Sequence, residues 1–238
     1  MKKYKKSSDV SYSIGVYPTL ELLYHRPDKV DSIIISGRGD RNEGLNKIIE
    51  ICQKKKIRVE QSDKAINRIA KVGGCYAVGI FYKYHSPLQK GDHLVLVNPN
   101  DMGNFGTITR TMLAYGIKNL AVIKPAVDIF APKAVRASMG AIFKLNFSYF
   151  DSFSDYCSAF KNNNIYPLIT NAKTGLDQAV FKKPFSLVFG GEGAGLGEEF
   201  LKVGESIKIP QSREVDSLNL SVAVGIVLYA SSLDKNKR

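Results

Sequence analysis

What the chain lacks narrows its chemistry first. It has three cysteines, Cys52, Cys75 and Cys157, widely spaced and odd in number; this supports neither a disulfide framework nor a zinc pattern and fits reduced thiols. The three histidines, His25, His85 and His93, are equally scattered, so no metal site is expected. No run of about 18 apolar residues is available to span a membrane. The basic start MKKYKKSSDV is not followed by the apolar segment of a secretory signal, so a cytoplasmic protein is expected. Internal repeats and low-complexity segments are also missing.

What is present is a basic, foldable chain. Of 238 residues, 44% are hydrophobic and 24% charged, the values of a soluble globular protein with room for two modest domains. The net charge of +12 favours a polyanionic partner such as nucleic acid. Residues 1–86 hold 17 Lys and Arg against 9 Asp and Glu, a net of +8; residues 87–238 hold 17 against 13, a net of +4. The front of the chain carries more of the charge.

Hydrophobic periodicity predicts a helix over 15–24, a strand over 33–36, a helix over 42–55 with Leu45, Ile48, Ile49 and Cys52 on one face, a strand over 57–59, a helix over 62–71 and a strand over 75–81. This is a small α/β domain, residues 1–86. Lys54, Lys55 and Lys56 close its second helix and suit either solvent or a phosphate backbone. Pro87 and Gly91 mark a linker over 87–91. From residue 92 to 238 the pattern predicts strands at 93–97, 120–123, 142–147, 165–170, 185–189 and 206–209. Helices are expected within 98–115, 132–139 and 151–161 and at the end of the chain. Such alternation implies an α/β domain with a mostly parallel sheet covered on both faces.

Three stretches could carry chemistry. The strand over 185–189 ends on glycines at Gly190, Gly191, Gly193, Gly195 and Gly197, with one carboxylate, Glu192, among them. Glycines let backbone groups approach a ligand, and the carboxyl end of a strand is where an open α/β sheet holds one. The loop lacks the Lys-Ser/Thr pair of a nucleoside-triphosphate loop, and no strand with a ribose-binding acid follows it. The GRG at 37–39 is a weaker candidate. In the second stretch, NPNDMGNFGTITR, Asn104 is expected to cap a helix, with Gly103, Gly106 and Arg110 on one face. Two small residues there leave room beside a guanidinium that can bind a phosphate or polarise a hydroxyl. In the third, Asp216 or Ser217 is expected to cap the last helix and leave Asn219 free for a ligand or a neighbouring loop. That helix is apolar nearly all round, which places it in the core or a subunit interface.

Taken in order, these stretches resemble the SpoU (TrmH-type) RNA ribose 2′-O-methyltransferases of the SPOUT superfamily. The first motif appears as Asn104, Gly106 and Arg110, the second as FGGEGAGL with Glu192, and the third as IP followed by SLNLSVA with Ser217 and Asn219. PKAVRASMGAIF, residues 132–143, is family-like as well. One departure is Gln211-Ser212 in place of the commoner Met-Gly, at the lip of the cofactor site. More loosely, residues 1–86 resemble the family's substrate-binding module, which is similar to ribosomal L30e-type proteins.

The resemblance implies a trefoil knot in residues 92–238, an exception to the rule against knotted chains. It implies S-adenosylmethionine as cofactor, held by Gly190, Gly191, Glu192, Gly193 and Gly195, by Ile209 and Pro210, and by Leu218 and Asn219. Arg110 would stabilise the developing alkoxide, Asn104 and Glu192 would orient it and the RNA, and Ser217 and Asn219 would shape the catalytic pocket. A homodimer, no metal, and ribosomal or transfer RNA as substrate complete the expectation. The alternative is a non-catalytic RNA-binding or ribosome-assembly protein on the same fold; loss of Asn104, Arg110 or Glu192 would favour it, and all three are present.

Overall fold

A computed structural model describes residues 4–38, 42–71, 73–212 and 214–233; residues 1–3 of the basic start and Gly39 of the GRG sequence lie outside them. The chain divides into two compact units: the described residues up to Tyr84 together with Asp128–Lys144, and His85–Val127 together with the described residues from Leu145 on.

The first unit contains β1 (Val10–Ile14), α1 (Val16–His25), β2 (Val30–Ile35), α2 (Glu43–Lys55), β3 (Arg58–Gln61), α3 (Asp63–Ala70) and β4 (Ala77–Tyr82). Its sheet runs β1-β4-β2-β3, with β2 and β3 parallel and β4 antiparallel to both of its neighbours. Alternation along β2 and β4 sorts the core. Ile33 and Ala77 pack with Leu23, Leu45, Ile48 and Cys52 of α1 and α2, whereas Ile34 and Val78 pack with Tyr12, Ile66 and Ala70 on the α3 side, as the two-residue period of a strand requires. Asn42 caps α2 by accepting from the Leu45 amide (3.1 Å), and Ser62 caps α3 by accepting from that of Ala65 (3.3 Å); each helix therefore starts one residue later than the periodicity predicts. β1 was not expected from the sequence. Its serines are buried: Ser11 donates to the Phe130 carbonyl, and Ser13 bonds Thr19 and the Gly79 amide.

The second unit starts with β5 (His93–Val97), α4 (Met102–Ala114) and β6 (Asn119–Ile123). The chain then departs to the first unit, where α5 (Pro132–Ala137) packs against β1 and a 3₁₀ turn, Ala141–Lys144, packs against α1. Lys83 anchors this excursion through an ion pair with Asp128 (2.9 Å). The strand expected over 142–147 accordingly begins later, as β7 (Asn146–Phe150). There follow α6 (Phe153–Ala159), β8 (Asn164–Pro167), β9 (Thr174–Gly175), β10 (Phe185–Gly190), β11 (Ile207–Lys208) and α7 (Leu220–Leu233).

The main sheet, β7-β6-β5-β10-β8, is parallel throughout, as the alternation predicts; β11 and β9 make a separate parallel pair. From β5 the chain moves outward through β6 to β7, then crosses to the other side for β8 and β10. The carboxyl ends of β5 and β10 are thus the point where strand order reverses, the crevice in which such sheets hold ligands. A buried polar chain ties β5, α6 and β10 together. Gln89 offers only a carbonyl to His93 Nε2 (2.8 Å), so that nitrogen carries the proton; Nδ1 then accepts from the Tyr156 hydroxyl (2.9 Å), which in turn accepts from Ser186 (2.5 Å). Burial holds the His93 pKa below its ordinary value.

Candidate active site

The glycine loop follows β10 directly. A Cβ on Gly190 would overlap the Gly195 carbonyl, and one on Gly191 would overlap that of Asn98 just beyond β5. Backbone contact at the strand ends therefore requires glycine at both positions.

Opposite the loop, α4 is capped by Asp101 and not by Asn104: the Asp101 carboxylate accepts from the Asn104 amide at 2.7 Å. The helix starts earlier than expected, and the Asn104 side chain, released from capping, points across the crevice. Its Nδ2 donates to Glu192 Oε1 (3.2 Å), and the other Glu192 oxygen accepts from the Asn100 amide (3.1 Å).

Asn219 completes the chain. The expectation that Asp216 or Ser217 caps α7 is corrected, because Asn219 Oδ1 accepts from the Ser221 amide (2.9 Å) and its carbonyl from that of Ala223 (2.9 Å). Its Nδ2 donates to Asn104 Oδ1 at 3.1 Å. A carboxylate only accepts, so Glu192 fixes the orientation of the Asn104 amide, and Asn104 fixes that of Asn219. One side-chain sequence, Glu192, Asn104, Asn219, joins the loop after β10, the head of α4 and the head of α7.

This sequence borders a cavity of about 690 Å³, within the range of small-molecule sites. Gly190, Gly191, Glu192, Gly193, Gly195, Ile209, Ser217, Leu218, Asn219 and Asn104 line it. Two expected residues do not: Pro210 adjoins it, and Arg110 is exposed on α4, six residues beyond Asn104. Leu168, Ile169 and Thr170, just after β8, line it without having been anticipated, as do Asp101 and Asp216. Asp101 had a readable signal, an Asp three residues before the Asn104 amide that it caps; the β8 residues had none beyond their place at a strand's end. Gln211 also lines the cavity and donates to the Asp216 carbonyl (3.4 Å), which closes the lip.

α7 is buried along Leu220, Val224, Val227 and Leu228, but Val222, Ile226, Tyr229 and Leu233 form an exposed apolar stripe. The helix is amphipathic in position though not in composition. Among the described residues no group of His, Cys, Asp and Glu could hold a metal ion, and no helix is long and apolar enough to cross a membrane.

The chain is similar to several known proteins. A methyltransferase of Synechocystis that is named only as acting on tRNA or rRNA is 34% identical over 139 residues, 57% of this chain; the match spans about half (51%) of that protein's length. The 23S rRNA (adenosine(1067)-2'-O)-methyltransferase of Streptomyces laurentii is 29% identical over 76% of this chain and 72% of its own. Among solved structures, an AdoMet-bound rRNA methyltransferase from Sinorhizobium meliloti superposes with a TM-score of 0.79 at 25% identity, covering 94% of this chain and 87% of that one. Residues 92–229, which hold the whole cavity lining, match the SpoU rRNA methylase family, and the chain belongs to that family.

Proposed function

We propose that this chain is an S-adenosylmethionine-dependent methyltransferase acting on a ribose 2′-hydroxyl of RNA, with ribosomal RNA favoured over transfer RNA. The observation that carries the reading is the Glu192, Asn104, Asn219 sequence, which unites three segments distant in the chain at the edge of one cavity. The relatives' names support it: one acts on a 2′-oxygen of rRNA, and another was solved with the cofactor.

The lining suits such a cofactor. Close-packed glycine backbone at 190 and 191 offers amides and carbonyls, while Leu168, Ile169, Ile209 and Leu218 offer apolar surface for a purine. When bound it would supply an electrophilic methyl group, which leaves the protein to place the hydroxyl and manage its proton. Asn104 and Glu192 set the geometry of the mouth, and Ser217 and Asn219 shape its far side. Arg110 offers a guanidinium donor that stabilises the developing alkoxide. It is exposed on α4, the helix that packs along α7. A homodimer formed through the stripe on α7 brings Arg110 to the interface, and we assign both to this chain. We also assign it the trefoil knot, an L30e-like RNA-binding role for the front domain, residues 1–86, and a cytoplasmic location.

The test is methyl transfer from radiolabelled S-adenosylmethionine into total RNA of a strain lacking the protein, with mapping of the labelled nucleotide. A 2′-O-methyl group at one position is the expected result. Cofactor binding without transfer would point to a partner protein or an assembly intermediate as substrate. Neither binding nor transfer would move the chain to the non-catalytic RNA-binding reading.

A further inference from the structure

Two tyrosines on α1 stand apart from the other exposed rings. Tyr17 (55% exposed) and Tyr24 (56%) lie seven residues apart, hence on one face and about 10 Å apart along the axis. The Tyr82 hydroxyl is held by Asp31 (3.1 Å), and the Tyr229 ring packs edge-on against Tyr115. Among the described residues, Tyr17 and Tyr24 meet no other ring and make no hydrogen bond. Two bulky aromatic surfaces are thus kept open side by side.

Their surroundings select the partner. The only acid of α1, Glu21, sits between the tyrosines and is largely buried (13% side-chain exposure), paired with Lys144 at 2.5 Å and facing His25 at 3.5 Å. The excursion that brings Lys144 also lays the turn Met139-Gly140 on this helix. Gly140 has φ +81°, and a Cβ there would stand 2.6 Å from the Glu21 Cβ and 3.1 Å from the Pro18 Cα. The backbone of this turn therefore lies on the helix at Pro18 and Glu21, between the two tyrosines, and leaves both rings exposed. Arg136 lies in electrostatic reach of Cys75, whose thiol meets the Gly15 backbone at the head of α1. Open rings, an acid neutralised by Lys144 and one further cation, Arg136, toward the head of the helix suit a polyanion with exposed flat faces.

We propose that this face of α1 is a stacking platform for unpaired bases of the RNA. The proposal rests on the reading of the chain as an RNA-modifying enzyme and adds that the segment gripped by the first unit is single-stranded. Every base has a flat face to offer an aromatic ring, but in a duplex those faces are already covered.

The test uses the full chain, a labelled oligouridylate of about 16 nucleotides and an RNA duplex of the same length. Replacing both rings (Tyr17→Ala with Tyr24→Ala) weakens oligouridylate binding by about tenfold or more, stacking being the interaction removed. Tyr17→Phe with Tyr24→Phe keeps wild-type affinity, and duplex binding, carried by phosphate contacts, is the same for all three proteins. Equal affinity of the alanine variant and wild type, or no oligouridylate binding by wild type, overturns the platform. So does an alanine variant that binds RNA normally but sediments as a monomer where wild type is a dimer; the face would then belong to a second copy. Calorimetry with S-adenosylmethionine and methyl transfer by wild type run alongside. If both succeed while the alanine variant keeps its affinity and its KM for RNA, stacking alone fails; if both fail in wild type, the enzyme reading fails.

Discussion

The two units differ more in charge than in size. Residues 1–84 with 128–144 hold 20 Lys and Arg against 10 Asp and Glu, a net of +10, and the remaining residues hold 14 against 12, a net of +2. The second unit, which has the cavity, lines it with glycine backbone, apolar side chains and the acids Asp101, Glu192 and Asp216. The first has a mixed four-stranded sheet and a surface rich in lysine. A diffuse cationic surface attracts any phosphate backbone without reading it, whereas a pocket bounded by fixed backbone and a locked amide sequence imposes geometry. The comparison teaches that charge and cavity are kept apart: most of the positive charge lies in one unit and the cavity in the other, the separation on which the proposed function rests.

The sharpest break between the two is in turnover. Arg110→Ala should lower methyl transfer by about 10²–10³-fold, the usual cost of losing an electrostatic stabiliser, with cofactor binding by calorimetry largely intact; equal turnover by variant and wild type would remove Arg110 from the chemistry. Gly191→Ala is next. Its new Cβ overlaps the Asn98 carbonyl, so urea unfolding should show a loss of about 1–3 kcal/mol, together with weaker cofactor binding and unchanged RNA affinity at fixed salt. Neutralising Lys54, Lys55 and Lys56 should do the reverse, weakening RNA binding and leaving cofactor binding alone. Lys54 is already paired with Glu50 at 2.6 Å, so the log-log salt dependence should fall by about two rather than three. An unchanged slope would assign RNA binding elsewhere.

The smallest effect concerns pH and sharpens the second unit only. His93 is neutral when folded because burial lowers its pKa, and on unfolding it regains a value near 6.5. Below that pH the unfolded chain binds a proton that the folded one excludes, so His93 contributes a loss of stability as pH falls through the unfolded value, at up to about 1.4 kcal/mol per pH unit. Urea midpoints at pH 7.5 and 5.5, both about one unit from the unfolded pKa, should separate more for wild type than for His93→Gln.

Much of the second unit was legible because its signals are local. A β-branched and aromatic run ending on glycines marked β10 and its loop, and alternation marked the parallel sheet. What the sequence hid was decided by distant partners. Ser11 and Ser13 give no apolar signal, and the Phe130 carbonyl and the Gly79 amide are the partners that hold them inside β1 as a buried strand. Asn104 was expected as the cap and Asp101, three residues earlier, takes that place; Glu192, 88 positions away, is the partner that draws Asn104 into the crevice. The apolar composition of α7 could not reveal which of its sides is covered, since burial depends on α4 and the sheet.

The excursion of Asp128–Lys144 gives the chain an order of assembly. The first unit cannot be finished when Tyr84 is made: Ser11, Lys83 and Glu21 wait for Phe130, Asp128 and Lys144. At about 5–20 residues per second on the ribosome, β1 and α1 lack the cover of α5 and the 3₁₀ turn for several seconds while β5, α4 and β6 emerge. The two units therefore mature together, interleaved in time as they are in sequence.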